Sequence, residues 1–327
     1  MNDTLTFLFM AWCPALLGFI AVVVIMPFWI RFLKTKDANQ QVSEYALQQF
    51  QEKAKTPTFG GFIFVAVSAI GILIYSMIHQ CLGQTSVLIV ALLLYGAIGF
   101  VDDYLIVMTH NNAGLSPRAK MMMQLAFATI IVCSMYLDID THLYLFGYSI
   151  DLKLLYIPFM IFVFVGSSNA VNLTDGMDGL AAGCSVIVAF GFAIIAFVKG
   201  SHPSLLFFLF LLIGSLLGYL LFNMHPAEIF MGDTGSLALG GIFAAIAMLL
   251  KEEVAYVLIG GVFVIETICC MLQIYWVKHF HKRLFIYTPI HYAFTKQGWK
   301  ETSTVYLFWG ICFIFMLLGV AVALVSF

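Results

Sequence analysis

Charge is what this sequence has least of. Lysine, arginine, aspartate and glutamate make up 10% of its 327 residues, where a soluble globular domain carries roughly 25%. With 62% hydrophobic residues and a mean hydropathy of +1.01, the chain cannot cover a water-facing surface, which excludes a soluble domain and predicts a polytopic membrane protein. No arginine-rich stripe is present, which argues against nucleic acid as a partner. The seven cysteines follow no metal-ligand spacing and sit almost all inside apolar runs, so they read as packing residues. No basic segment precedes the first apolar run, so that run reads as a retained span and not as a cleaved signal. Repeats and low-complexity tracts are also missing, and residues 1–327 read as a single transmembrane domain.

What the chain has instead is apolar runs. A span needs about 20 mostly apolar residues, and ten candidates occur near 7–33, 59–80, 84–106, 119–137, 153–169, 180–199, 204–223, 236–250, 254–277 and 302–326. The eighth is short and glycine-rich and is expected to start inside the bilayer or to be broken. Ten spans put both termini on one side. Twelve of the fifteen Lys and Arg fall in one set of loops, between Arg31 and Lys55, at Arg118 and Lys120, and between Lys278 and Lys300. Only Lys153, Lys199 and Lys251 fall in the other set. By the positive-inside rule the first set is cytoplasmic and both termini lie outside. Outside, residues 143–152 alternate around Gly147 and predict a small β-hairpin. Inside, 39–55 reads as a short surface helix.

Five aspartates lie at inner ends of these spans: Asp102 and Asp103, Asp175 and Asp178, and Asp233. Adjacent carboxylates resist joint ionisation unless a cation joins them, and oxygen ligands completed by water and phosphate suit Mg²⁺. Such a cation with nearby lysine or arginine stabilises charge on a transferring phosphoryl group. Asn172, Asp175 and Asp178 stand three apart, so if their segment is helical they share a face. Gly232 and Gly235 flank Asp233, where backbone amides can approach a phosphate. Phe230 offers a ring to a base, His291 a proton or a phosphate contact, and Glu266 and Gln273 share a face of the ninth span. On these residues alone, a cation-coupled transporter built on the acidic centre stays open beside an enzyme.

The motifs at 56–61 (TPTFGG), 99–104 (GFVDDY), 169–181 (NAVNLTDGMDGLA), 230–241 (FMGDTGSLALGG), 260–266 (GGVFVIE) and 289–291 (PIH) resemble, in this order, those of the phospho-N-acetylmuramoyl-pentapeptide transferases. Their aspartates are shared by the wider polyprenyl-phosphate N-acetylhexosamine-1-phosphate transferases, so another UDP-N-acetylhexosamine donor remains an alternative. The resemblance implies ten helices, a homodimer in the bacterial plasma membrane and a cytoplasm-facing site. It also implies Mg²⁺-dependent transfer of phospho-MurNAc-pentapeptide from UDP-MurNAc-pentapeptide to undecaprenyl phosphate, with release of UMP. Carried over by motif, Asp233 and Asn172 hold Mg²⁺, and Asp102 and Asp103 handle the lipid phosphate, one of them as base. Asp178 with the Gly176-Met177 backbone reads uracil under the Phe230 ring. Asp175 and His291 lie beside the diphosphate and sugar, Arg118 or Lys120 lies near phosphate, and Thr58 and Gln273 touch substrate. Two positions depart from the family. His291 is followed by Tyr292 and Ala293 where two more histidines are usual. Ile106 stands where a lysine is common, so that basic role is either absent or supplied from elsewhere, with Lys120 and Arg118 the candidates.

Overall fold

A computed structural model describes residues 2–36, 56–109 and 114–325, with side chains from residue 12 onward. The surface helix expected at 39–55 lies outside the described residues. The helices are α1 (Asn2–Thr35), α2 (Gly61–Ile78), α3 (Leu82–Thr109), α4 (Pro117–Met135), α5 (Tyr156–Thr174), α6 (Leu180–Val198), α7 (Pro203–Asn223), α8 (Gly232–Leu250), α9 (Glu253–Ile259), α10 (Gly261–Phe280), α11 (His291–Lys296) and α12 (Glu301–Val325). Ten of them are long and apolar enough to cross a membrane, all except α9 and α11. Their outward faces carry exposed Phe28, Met77, Met122, Phe162 and Ile274, a surface that only a bilayer satisfies.

The bundle is built around α8. In its span 89% of residues are buried, against 22% in α4, and it packs on α3, α5, α2 and α6. Small side chains let it do so. Gly99 of α3 lies so close that a Cβ there would sit 2.0 Å from the Asp233 carbonyl oxygen, so only glycine lets the two backbones meet. The contact brings the Asp102-Asp103 end of α3 against the first turn of α8. Of the two readings of the eighth span, a start inside the bilayer or a break, the break does not occur: α8 runs without interruption from Gly232. Its glycines serve close packing: Gly235 faces Met231 and the Gly61 backbone, Gly240 the Ser167-Ser168 backbone and Gly241 the Tyr95 ring. The ninth span is the divided one: α9 stops at Ile259 and α10 begins at Gly261, where a Cβ on Gly261 would meet the Phe315 ring at 2.6 Å.

The far end of α8 is tied by charge. Lys199 pairs with Glu252, and Lys251 reaches Glu253 at 2.7 Å. Tyr156 donates to Glu253 Oε1 at 2.5 Å, and the Lys251 ammonium lies 4.1 Å from the centre of the Tyr156 ring. Two of the three lysines assigned to the outer loops are thus neutralised by partners. Beside this end, β1 (His142–Leu145) and β2 (Tyr148–Asp151) form the expected antiparallel hairpin. Its two-residue turn, Phe146-Gly147, has φ of 49° and 76°, the double positive φ that matches strand twist.

Candidate active site

Three helices deliver the acidic centre. Ser116 caps α4, accepting from Ala119 N–H, and Pro117 opens its first turn. This start places Lys120 one turn in, facing α3 and α8. The Lys120 ammonium is 3.1 Å from Asp102 Oδ2 and in direct contact with Asp233 Oδ2. Asp102 also accepts from Leu115 N–H at 2.7 Å. Asp103 is buried at the start of α8, accepting from Asp233 N–H at 3.0 Å, Thr234 N–H at 2.9 Å and the Thr234 hydroxyl at 2.6 Å. The amides beside Gly232 and Gly235, expected to cradle a phosphate, are therefore engaged by Asp103. Asn172 of α5 donates to Asp233 Oδ1 at 2.7 Å and to Ser236 Oγ at 2.9 Å. Thr58 is buried at the same place, its Oγ1 2.8 Å from where a Gly232 Cβ would stand.

Between the two basic candidates the fold discriminates. Lys120 is inside the cluster, whereas Arg118 is exposed on α4. Lys120 therefore supplies a cation next to the Asp102-Asp103 pair although Ile106 does not.

The 169–183 stretch does not form one helical strip. Asn172 is helical, but α5 ends at Thr174 and Asp175 adopts φ −78°, ψ 55°. The chain then turns through Gly179, at φ +79°, into α6. Two glycines in five residues weaken helix continuation, and the surrounding elements take up the freed backbone groups. Tyr292 donates to the Gly176 carbonyl at 2.7 Å, Asp178 N–H donates to Glu301 at 2.9 Å, and Gly179 N–H donates to Asn223 at 3.1 Å. Trp309 donates to the Gly179 carbonyl at 3.2 Å. Met177 is buried and its carbonyl accepts from Leu180 N–H. Asp178 Oδ2 is held by the 225–227 loop, 3.0 Å from His225 Nδ1 and 3.2 Å from Ala227 N.

Asp175 lies half-buried in this turn. Burial first, then the charges of Asp233, Asp103 and Asp178, push its carboxyl up to about 8. It therefore senses the acidic centre across the site. Phe230 is half-buried before α8, and its backbone pairs with the 57–60 loop in both directions. His291 is fully buried at the start of α11, its Nδ1 3.0 Å from Glu266 Oε1.

Gln273 stands apart. Its amide oxygen accepts from Leu284 and Phe285 N–H and its amide nitrogen donates to the Phe285 carbonyl. It lines a cavity of about 500 Å³ with Lys278, Arg283, Tyr287 and Thr288. Thr234, Ser236, His225 and Glu301 escaped sequence reasoning. Glu301 begins the last span, where a carboxylate reads as an ordinary first-turn charge, whereas Thr234 and Ser236 sit within a motif and were findable there.

The model of the glycosyl transferase family 4 matches residues 85–251, a stretch that contains all five aspartates and leaves out His291. Among curated proteins, the phospho-N-acetylmuramoyl-pentapeptide-transferase of Shouchella clausii is 42% identical over 313 residues, covering 93% of this chain and 95% of that protein. Those of Listeria monocytogenes and Staphylococcus saprophyticus are each 40% identical, covering 94% and 95% of this chain and 96% and 98% of their own lengths. The chain belongs to the glycosyl transferase family 4 and, along nearly its whole length, to the phospho-N-acetylmuramoyl-pentapeptide-transferases.

Proposed function

We propose that this enzyme transfers phospho-MurNAc-pentapeptide from UDP-MurNAc-pentapeptide to undecaprenyl phosphate at the cytoplasmic face of the bacterial plasma membrane, releasing UMP. The observation that carries the reading is that Lys120 bridges Asp102 and Asp233 while Asp103 accepts from Asp233 N–H beside them, at the ends of spans, in a chain whose full-length relatives bear that transferase name. A water-soluble donor and a membrane-held acceptor meet most simply where helix ends face a loop-lined site.

The donor set suits a hard divalent cation. Three carboxylates with one ammonium leave the centre net negative, and Mg²⁺ takes one or two protein carboxylates and completes its shell with water and substrate phosphate. Asp233 and the amide oxygen of Asn172 would hold it, and when bound it would offset the charge that develops on the diphosphate.

The protein's own groups divide the remaining work. Asp103 has both oxygens engaged by α8, so it fixes the first turn of that helix. Asp102 accepts from Leu115 N–H on Oδ1 and holds Lys120 on Oδ2 alone, so Oδ2 is the oxygen that displacement of the lysine would release. Asp102 is the carboxylate to accept a proton from, or orient, the acceptor phosphate once phosphate oxygens draw the ammonium away. Asp175 and His291 border the sugar diphosphate, and Asp178, the Gly176-Met177 backbone and Phe230 receive the uracil. Thr58 supports the phosphate end and Gln273 shapes the loop above the peptide side. The working unit is a homodimer.

The test is UMP release by purified protein in lipid. Release must need Mg²⁺ and undecaprenyl phosphate together, and Asp233→Ala must abolish it without unfolding the protein. Release from another UDP-N-acetylhexosamine in preference to the muramoyl donor would replace the substrate assignment.

A further inference from the structure

The segment that follows Pro289 is gripped from both sides. On one side is Glu266 of α10, fully buried, whose carboxylate accepts three hydrogen bonds. Ile290 N–H reaches Oε2 at 2.7 Å, and His291 N–H and His291 Nδ1 reach Oε1 at 3.2 and 3.0 Å. A carboxylate taken up by three donors of one short segment fixes both its backbone and its ring orientation. On the other side, His291 and Tyr292 press on the turn that carries Asp175 and Asp178. A Cβ on Gly176 would stand 2.4 Å from His291 Nε2 and 2.7 Å from the Tyr292 hydroxyl, so both polar tips are aimed at Gly176. His291 Nε2 is buried without a hydrogen-bond partner, whereas Tyr292 donates to the Gly176 carbonyl at 2.7 Å. The two rings lie 4.2 Å apart, centre to centre, so neither moves alone.

Tyr292 occupies a position where the family resemblance implies histidine. Burial first, then the carboxylates of Glu301 and Asp175, push its phenol up, so it keeps the proton it donates.

We infer that Glu266 and Tyr292 are positioning residues. They form a lock in which Glu266 anchors the 290–292 segment and Tyr292 sets the height of the 175–178 turn that receives the uridine end of the donor. The inference rests on the donor assignment above. It adds a role to two residues that touch neither acceptor nor reacting atoms, and it explains how this chain dispenses with a histidine at 292. The lock holds a turn with two glycines in five residues at its Gly176 carbonyl.

The test uses full-length enzyme in lipid, with UDP-MurNAc-pentapeptide and undecaprenyl phosphate varied separately. Tyr292→Phe removes one hydroxyl. It is expected to raise the donor KM about three- to tenfold, the span of one neutral hydrogen bond, to alter kcat less than about twofold and to leave the acceptor KM in place. Glu266→Gln is expected to raise the same KM and also to lower kcat, because it releases His291. The double variant should exceed the worse single variant by no more than about twofold, since both act through one segment. An unchanged donor KM in Tyr292→Phe, or a double effect equal to the product of the singles, overturns the lock. So does a Tyr292→Phe variant that loses kcat and both KM values together with thermal stability. Amide hydrogen exchange across 174–180 reads the lock without turnover: faster exchange in both variants supports it, and unchanged exchange overturns it. A wild-type enzyme that releases no UMP overturns the donor assignment and leaves the exchange result to judge the lock.

Discussion

Among single residues, Lys120 has the largest electrostatic task. Its ammonium touches two carboxylates that would otherwise face each other. Lys120→Met is expected to cut kcat at least about a hundredfold, and Lys120→Arg to restore little of it, because a planar fork does not replace a point charge between two oxygens. Steady-state UMP release decides both. Asp103→Asn keeps the shape but trades an acceptor oxygen for an amide that points at N–H donors. It should destabilise the first turn of α8 by about 2 kcal/mol and abolish turnover, read as a lower thermal midpoint together with lost activity.

Asp175 makes a pH prediction. Its ordinary value is 3.8 and the fold raises it to about 8. Below about pH 4 the carboxyl is protonated in both states and costs nothing. Between 4 and 8 the unfolded chain releases a proton that the folded chain retains, so this residue lowers stability as pH rises. Without Mg²⁺ or nucleotide, Asp175→Asn should melt several degrees above wild type at pH 8, with the difference closing toward pH 4. An equal gap at both pH values would remove this account of Asp175.

Elements differ in how directly they serve the site. The first turns of α4 and α8 and the end of α3 carry the acidic centre, so small shifts of any of them separate its charges. The hairpin lies beside the opposite end of α8, where it stands clear of the chemistry. Gly147→Val, at φ 76°, should strain the turn by about 1–2 kcal/mol and disorder the hairpin, seen as faster proteolysis there, while UMP release stays within about twofold of wild type. The break at Gly260-Gly261 serves a different end. It closes the short α9, which opens at Glu253 of the Lys251-Glu253 pair, and starts α10, whose Glu266 holds the 290–291 segment.

At the scale of the whole molecule the two ends of the bundle are electrically unlike. The end near α9 pairs two lysines with two glutamates, and the site end sets one lysine against Asp102 and Asp233, with Asp103 beside them. Only the second has charge to spare for a cation and a diphosphate. The orientation expected from the loop lysines and arginines is open to direct test. In a cysteine-free background, Ser149→Cys should react with an impermeant maleimide in intact cells, and Arg283→Cys only after permeabilisation. The reverse pattern would turn the enzyme over in the membrane.

The sequence by itself determined the number of spans, the hairpin around Gly147 and the residues of the acidic centre. Each depends on local quantities: run length, alternation around a glycine, and the cost of carboxylates beside apolar helices. It left two shapes open: a strip through Asn172, Asp175 and Asp178 if their segment were helical, which it is not beyond Thr174, and an eighth span that starts inside the bilayer or is broken. Glycine has the same letter whether it lies in the turn between two helices, as at Gly176 and Gly179, or lets one pack closely, as at Gly235 and Gly240. Only the tertiary structure decided between Lys120 and Arg118, gave Asp103 to the start of α8, and joined Glu266 to Tyr292 through His291. Those relations cross 18 to 131 positions of chain, and a hydrogen bond depends on distance in space, which spacing along the chain does not set.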